Sequence, residues 1–159
     1  MSTPSTPPSR SLDPSLPEAL LGHIGYLAVR FGQRAQRQFE RAMAELDLRP
    51  QDYDFLSVIA ESGPLSQREA ATTLGVDPTR IVALADHLQE RHLVARTIDP
   101  ADRRRNLVTL TPGGQDLVRR AADVAAGVEA ELVRELAPAE RDALRSLLRR
   151  TVEPQSPPA

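Results

Sequence analysis

Three consecutive arginines, Arg103, Arg104 and Arg105, occupy a polar turn between LVARTI (Leu93 to Ile98) and NLVTL (Asn106 to Leu110), two β-branched or alternating segments. Guanidinium groups on a thin extended tip fit the minor groove of duplex DNA, where the potential is most negative and bulkier elements are excluded. Upstream, Pro78, Thr79 and Arg80 open one apolar-periodic stretch, and Ser66 and Gln67 open another. Arg80 is the best candidate for a bidentate contact to a guanine edge, with a phosphate contact as its alternative. Thr79 suits a phosphate or a thymine methyl. Ser66 and Gln67 suit positioning contacts to the DNA backbone, although for Ser66 a helix-capping role alone is sufficient.

These side chains need elements to hold them. In QREAATTLGVDPTRIVAL, from Gln67 to Leu84, apolar residues fall at Ala71, Leu74, Val76, Ile81 and Leu84, with Gly75 between the halves. That spacing predicts two short helices burying facing stripes across a tight turn where glycine takes positive φ. Ser66 and Glu69 form an S-x-x-E capping box, and Asp77 and Pro78 suit the N-cap and first position of the second helix. A helix-turn-helix followed by a cationic hairpin reads as a winged lobe, its second helix aimed at the major groove.

Outside this lobe, Leu20, Ile24, Leu27, Phe31, Ala35, Phe39, Met43 and Leu46 recur at helical steps behind a Ser15/Glu18 capping box, predicting one long amphipathic helix. A second stripe runs through Leu117, Ala121, Val124, Val128 and Leu132, and a third through Leu144, Leu147 and Leu148 after Pro138. Their apolar area exceeds what a small lobe covers, so they are candidates for a homodimer interface; a monomeric bundle of terminal helices is the alternative. Residues 1–14 and 153–159 are rich in Ser, Thr and Pro and are expected to be disordered tails.

Composition removes several functions. Among 159 residues there is no cysteine, so disulfides, thiolate nucleophiles and thiol-based oxidant sensing are excluded. No apolar run approaches the ~20 residues that span a bilayer, and the start lacks a charged stretch followed by an apolar one, so a cytoplasmic protein without a membrane partner is expected. The net charge is −2, yet five arginines between Arg91 and Arg105 face two aspartates, so one surface is basic on an acidic chain. Every cationic residue apart from histidine is Arg, which favours planar contacts to phosphate and guanine. A metal site has no support, since His87 and His92 lie five apart with no second ligand pair. Asp86, His87 and Glu90 read as the solvated back of the second helix. No cofactor is expected. A phosphate-binding glycine loop, a serine elbow and clustered carboxylates with a histidine are all missing from the chain, which argues against an enzyme.

The chain resembles the MarR-type winged-helix transcriptional regulators. The signature D-x-R, five residues, L-T, two residues, G is matched by Asp102, Arg104, Leu110, Thr111 and Gly114, and PQDYDFLSVIAESGPLSQREAATTLGVDP and LAPAERDALRSLLRR are similar to the family's helices before the recognition helix and at the end. The resemblance covers about Leu16 to Thr151. It implies a mainly α fold with a small β-hairpin wing: a winged helix-turn-helix lobe over about residues 48–111, between dimerisation helices over about 15–46 and 112–152. It also implies a homodimer on a pseudo-palindromic operator, most often a repressor, relieved by a small aromatic or phenolic ligand. A winged helix serving only protein interaction, with no ligand response, is the alternative. At the wing it implies that Asp102 and Arg104 pair to hold the turn, leaving Arg103 and Arg105 more available to DNA. Relatives often carry threonine or serine and a basic residue where this chain has Val82 and Ala83, and glycine where it has His92, for which a left-handed cap is expected. For the ligand, His23, Tyr26 and Arg30 on the first long helix and Tyr53 on the next are candidates to supply a cation and hydroxyl donors; an interface or core-edge role is the plainer expectation for them.

Overall fold

Proline begins four of the helices, because the first N–H of a helix has no acceptor and its loss costs nothing there. The computed structural model describes residues 17–152, and the two expected tails, with Ser15 of the first capping box, lie outside them. The elements are α1 (Glu18–Leu21), α2 (Ile24–Ala44), α3 (Pro50–Ser62), α4 (Gln67–Leu74), α5 (Pro78–Glu90), β1 (Val94–Ile98), β2 (Asn106–Leu110), α6 (Pro112–Leu132) and α7 (Pro138–Val152). Among the described residues, no helix is long and apolar enough to cross a membrane.

The chain divides into two units, one ending at Arg34 and the other beginning at Ala35. In the first, the single long helix expected from Leu20 onward is interrupted. Gly22 closes α1 with its N–H on the Glu18 carbonyl, and α2 restarts after His23, whose carbonyl accepts from Leu27. A glycine at the end of a four-residue helix outweighs a periodic stripe that finds little to bury: Ile24 is 86% exposed.

The second unit holds the core. Phe55, Leu56 and Ile59 of α3, Ile81, Leu84, Ala85 and Leu88 of α5, Val94 of β1, Val108 of β2 and Leu117, Val118 and Ala121 of α6 are all buried in one cluster. The spacing Ile81, Leu84, Ala85, Leu88 is one helical face, as the periodicity predicts. β1 and β2 pair antiparallel from Val94–Leu110 to Ile98–Asn106, and Leu65 adds a bridge to Val108.

Two buried features anchor the lobe. The Asp52 side chain is 1% exposed and takes the half-exposed Arg49 guanidinium in two-pronged fashion while accepting the Arg49 backbone N–H at 2.7 Å, so α3 is capped by an ion pair whose carboxylate is buried. Gly114, on the first turn of α6, packs so closely that a Cβ there would lie 2.0 Å from the Leu93 carbonyl oxygen. Thr111, the N-cap of α6, accepts from Gly114 N–H at 3.0 Å and donates to the His92 carbonyl at 2.7 Å. The Thr111 and Gly114 pair thus locks α6 against the turn that joins α5 to β1.

Candidate nucleic-acid interface

The helix-turn-helix forms as its caps dictate. Ser66 Oγ accepts the Glu69 N–H at 3.2 Å and Glu69 accepts the Ser66 N–H at 2.8 Å. Gly75 turns the chain at φ 63°, ψ 33°, and Asp77 accepts the Thr79 N–H at 2.8 Å to start α5. His92 sits at φ 57°, the left-handed cap expected of it, beside the α5–β1 turn. Asp47 adopts the same region at φ 54°, a turn the sequence reading missed, and its carboxylate takes Arg91 at 2.9 Å.

With Ile81, Leu84, Ala85 and Leu88 turned inward, α5 presents Thr79, Ala83 and Asp86 outward, Arg80 and His87 on one flank, and Val82 and Gln89 on the other. Arg80 is exposed and forms no ion pair among the described residues. It borders a cavity of about 350 Å³ between α3 and α5, together with Asp54, Leu74 and His87. His87 is half-buried there rather than solvated, because the turn of α5 carries it toward α3. Partial burial raises the Asp54 pKa above its ordinary value.

The first helix of the motif differs from expectation in its side chains. Ser66 Oγ also donates to Glu69 at 2.7 Å, so its hydroxyl is spent on the cap. Gln67 is half-buried with its Nε2 out of solvent and without a hydrogen-bond partner among the described residues. Neither side chain presents a free donor to solvent.

The wing requires a further correction. Asp102 holds the turn by accepting the backbone N–H of Arg104 at 3.0 Å, and no contact joins its carboxylate to the Arg104 guanidinium. Arg105 is the ion-paired arginine of the run, though still exposed: its Nη2 donates to both carboxylate oxygens of Glu69, at 2.9 and 3.0 Å, and its Nε lies 3.8 Å from Asp99. Arg103 and Arg104 are exposed, with no ion-pair partner among the described residues, and are the free cations of the tip. The physical reason is reach. Glu69, oriented by Ser66, stands where only the last arginine of the run meets it. Hydrogen bonds from the Ser66 side chain and backbone, then Arg105, hold the Glu69 carboxyl down at about 2.

Of the four ligand candidates, His23 precedes α2 rather than lying on it, so Tyr26 and Arg30 alone share the expected helical face in the first unit. Tyr53, in the second, is half-buried with its ring edge-on to Phe39 at 5.5 Å.

Arg96 is a residue the sequence reading passed over. From β1 it donates to Asp86 and, at 2.7 Å, to Gln89, tying strand to recognition-helix flank. Its partners lie seven and ten residues back, so spacing gave no signal for them.

Residues 46–105 match the MarR family. The chain is 32% identical over 133 residues to the putative transcriptional regulatory protein for the hcr operon of Thauera aromatica, covering 83% of this chain and 80% of that protein. Among solved structures, the transcriptional repressor CouR bound to a 23-mer DNA duplex is similar with a TM-score of 0.77 and 32% identity over 86% of this chain and 96% of that one. CouR from Rhodococcus jostii bound to p-coumaroyl-CoA gives 0.76 and 31% over 88% and 99%.

Proposed function

The chain belongs to the MarR family of transcriptional regulators, and we propose that it works as a homodimeric repressor whose α5 enters the major groove while the wing tip follows the minor groove. The carrying observation is the pairing of an exposed, well-capped α5 with a hairpin tip whose Arg103 and Arg104 have no ion-pair partner among the described residues. Residues 48–111 are the DNA-binding lobe in this reading, and the helices before and after it are the dimerisation elements. Arg80, Thr79 and the backbone of the first turn behind Pro78 meet the major groove; Arg103 and Arg104 meet the minor groove; Arg105 holds the wing in place. Exposed Leu147, Leu148 and Val152 on α7, an otherwise unburied helix, supply apolar area for a twofold interface. A dimer would then bind a pseudo-palindrome with half-sites about one helical turn apart.

Relief by a small aromatic or phenolic effector is part of the same reading, supported by the likeness to CouR, whose bound p-coumaroyl-CoA is a phenolic acyl thioester. The test is a gel-shift with the purified protein on its own upstream DNA, followed by selection of bound oligonucleotides from a random pool. A salt-sensitive complex on a palindromic site, weakened by phenolic acids or their CoA thioesters, is the expected result. A protein that binds no duplex at low salt would overturn the reading, and a complex indifferent to every such ligand would remove the effector from it.

A further inference from the structure

Nine large hydrophobic side chains are exposed among the described residues, and seven of them lie on helices at the two ends of the chain: Leu20, Ile24, Leu27 and Val29 in α1 and α2, and Leu147, Leu148 and Val152 in α7. The two that remain are Val82, on α5, and Ile98, at the end of β1. Val82 is 43% exposed and stands on the flank of α5 that also carries Gln89, with Asp86 one turn on at the edge of the outward face. Those two neighbours are the polar groups that would ordinarily read a base edge from this flank, an acceptor for cytosine N4 and an amide for adenine. Both are already engaged. Arg96 donates through Nη2 to Asp86 Oδ1 and through Nη1 to Gln89 Oε1, so the carboxylate and the amide oxygen are turned toward the wing strand. The next outward residue, Ala83, offers only a methyl group.

We propose that Val82 reads thymine through its C5-methyl group, so that one flank of the recognition helix selects bases by apolar contact instead of hydrogen bonding. The chemistry is complementary. The thymine methyl is the one apolar mark on the major-groove edge of a base pair, and a β-branched side chain with little χ1 freedom covers it without losing much entropy. Cytosine at that position leaves the Val82 methyls facing a polar edge, and Asp86 has one carboxylate oxygen already turned to Arg96. Arg96 is in this scheme a positioning residue: it removes two competing readers from the flank. The inference rests on α5 being the DNA-reading helix, as proposed above.

The experiment replaces each thymine of the selected operator singly with deoxyuridine, which deletes the methyl and leaves base pairing intact, and measures affinity for the full-length protein and for Val82→Ala. The wild type is expected to lose about fourfold at one thymine in each half-site, the cost of uncovering one methyl group. Val82→Ala is expected to bind the unmodified operator more weakly and to show no further loss with deoxyuridine at that thymine. Val82 is on the surface, so the variant should melt with the wild type, and Val82→Thr, which keeps one methyl, should retain part of the discrimination. Equal affinity for thymine and deoxyuridine at every position would overturn the proposal while leaving DNA binding itself intact. So would a deoxyuridine penalty of the same size in Val82→Ala, which would assign the methyl to another residue. Failure of the wild type to bind any duplex would overturn the underlying reading along with this one.

Discussion

The winged lobe and the C-terminal helix α7 are built from the same aliphatic residues at the same helical spacing, and they end in opposite states. On α5 the stripe Ile81, Leu84, Ala85, Leu88 is buried, with Leu88 at 0% exposure; on α7 no residue is buried, and Leu147 is 56% exposed. Amphipathic periodicity therefore says that a face needs covering, and not by what. The lobe covers its own faces because α3, α5, the hairpin and α6 converge on one cluster. In the proposed dimer, a second copy covers α7.

The sharpest way to break this comparison is to make one substitution in both regions. Leu88→Ala should cost about 2–5 kcal/mol in urea unfolding, since it removes a fully enclosed side chain. Leu147→Ala should leave the lobe's transition in place and appear in sedimentation equilibrium as weaker self-association. Equal stability losses, with self-association unchanged, would mean that α7 is not an interface. Next in size, Gly114→Ala forces a methyl against the Leu93 carbonyl and should destabilise by about 1–3 kcal/mol, read as a lower Tm. The same change at Gly127, where nothing lies within 4 Å, should be neutral or stabilising.

The wing sharpens the comparison within a single arginine run. Arg103→Ala and Arg104→Ala should each lower the slope of log affinity against log salt by about one unit. Arg105→Ala should lower it less, since its guanidinium is held by Glu69. Three equal decrements would show that the Glu69 clamp opens on DNA. The smallest effect is in pH. The folded Glu69 pKa, about 2, lies below its ordinary 4.5, so the ionised carboxylate's contribution is complete above pH 4.5 and is lost as pH falls toward 2. Hydrogen exchange of the wing and α4 amides should quicken across that window, and Glu69→Gln should lack the change.

Much of the site was legible beforehand for a reason common to its parts: caps and tight turns are local. Ser66 with Glu69, Asp77 with Pro78, Gly75 and His92 each act within a few residues, and each adopts the expected geometry. The errors came where a side chain chooses between distant partners. Arg105 meets Glu69 across 36 residues, and Arg96 meets Asp86 across ten, so neither pairing had a signal in spacing. The break at Gly22 and His23 was hidden differently. The stripe from Leu20 to Leu46 is continuous in type, and the periodicity outweighed a glycine that was there to be read.

Local chemistry in the chain was enough to specify two capped helices joined by a left-handed glycine, a hairpin with arginines at its tip and amphipathic helices on either side, because those preferences operate over one or two turns of backbone. Which arginine remains free for DNA, which polar residues of α5 are tied to the strand beside it, and why the glycine at 114 tolerates no side chain were decided by the tertiary fold alone. Ion pairs and close packing depend on distances between segments, and only the assembled core sets those distances.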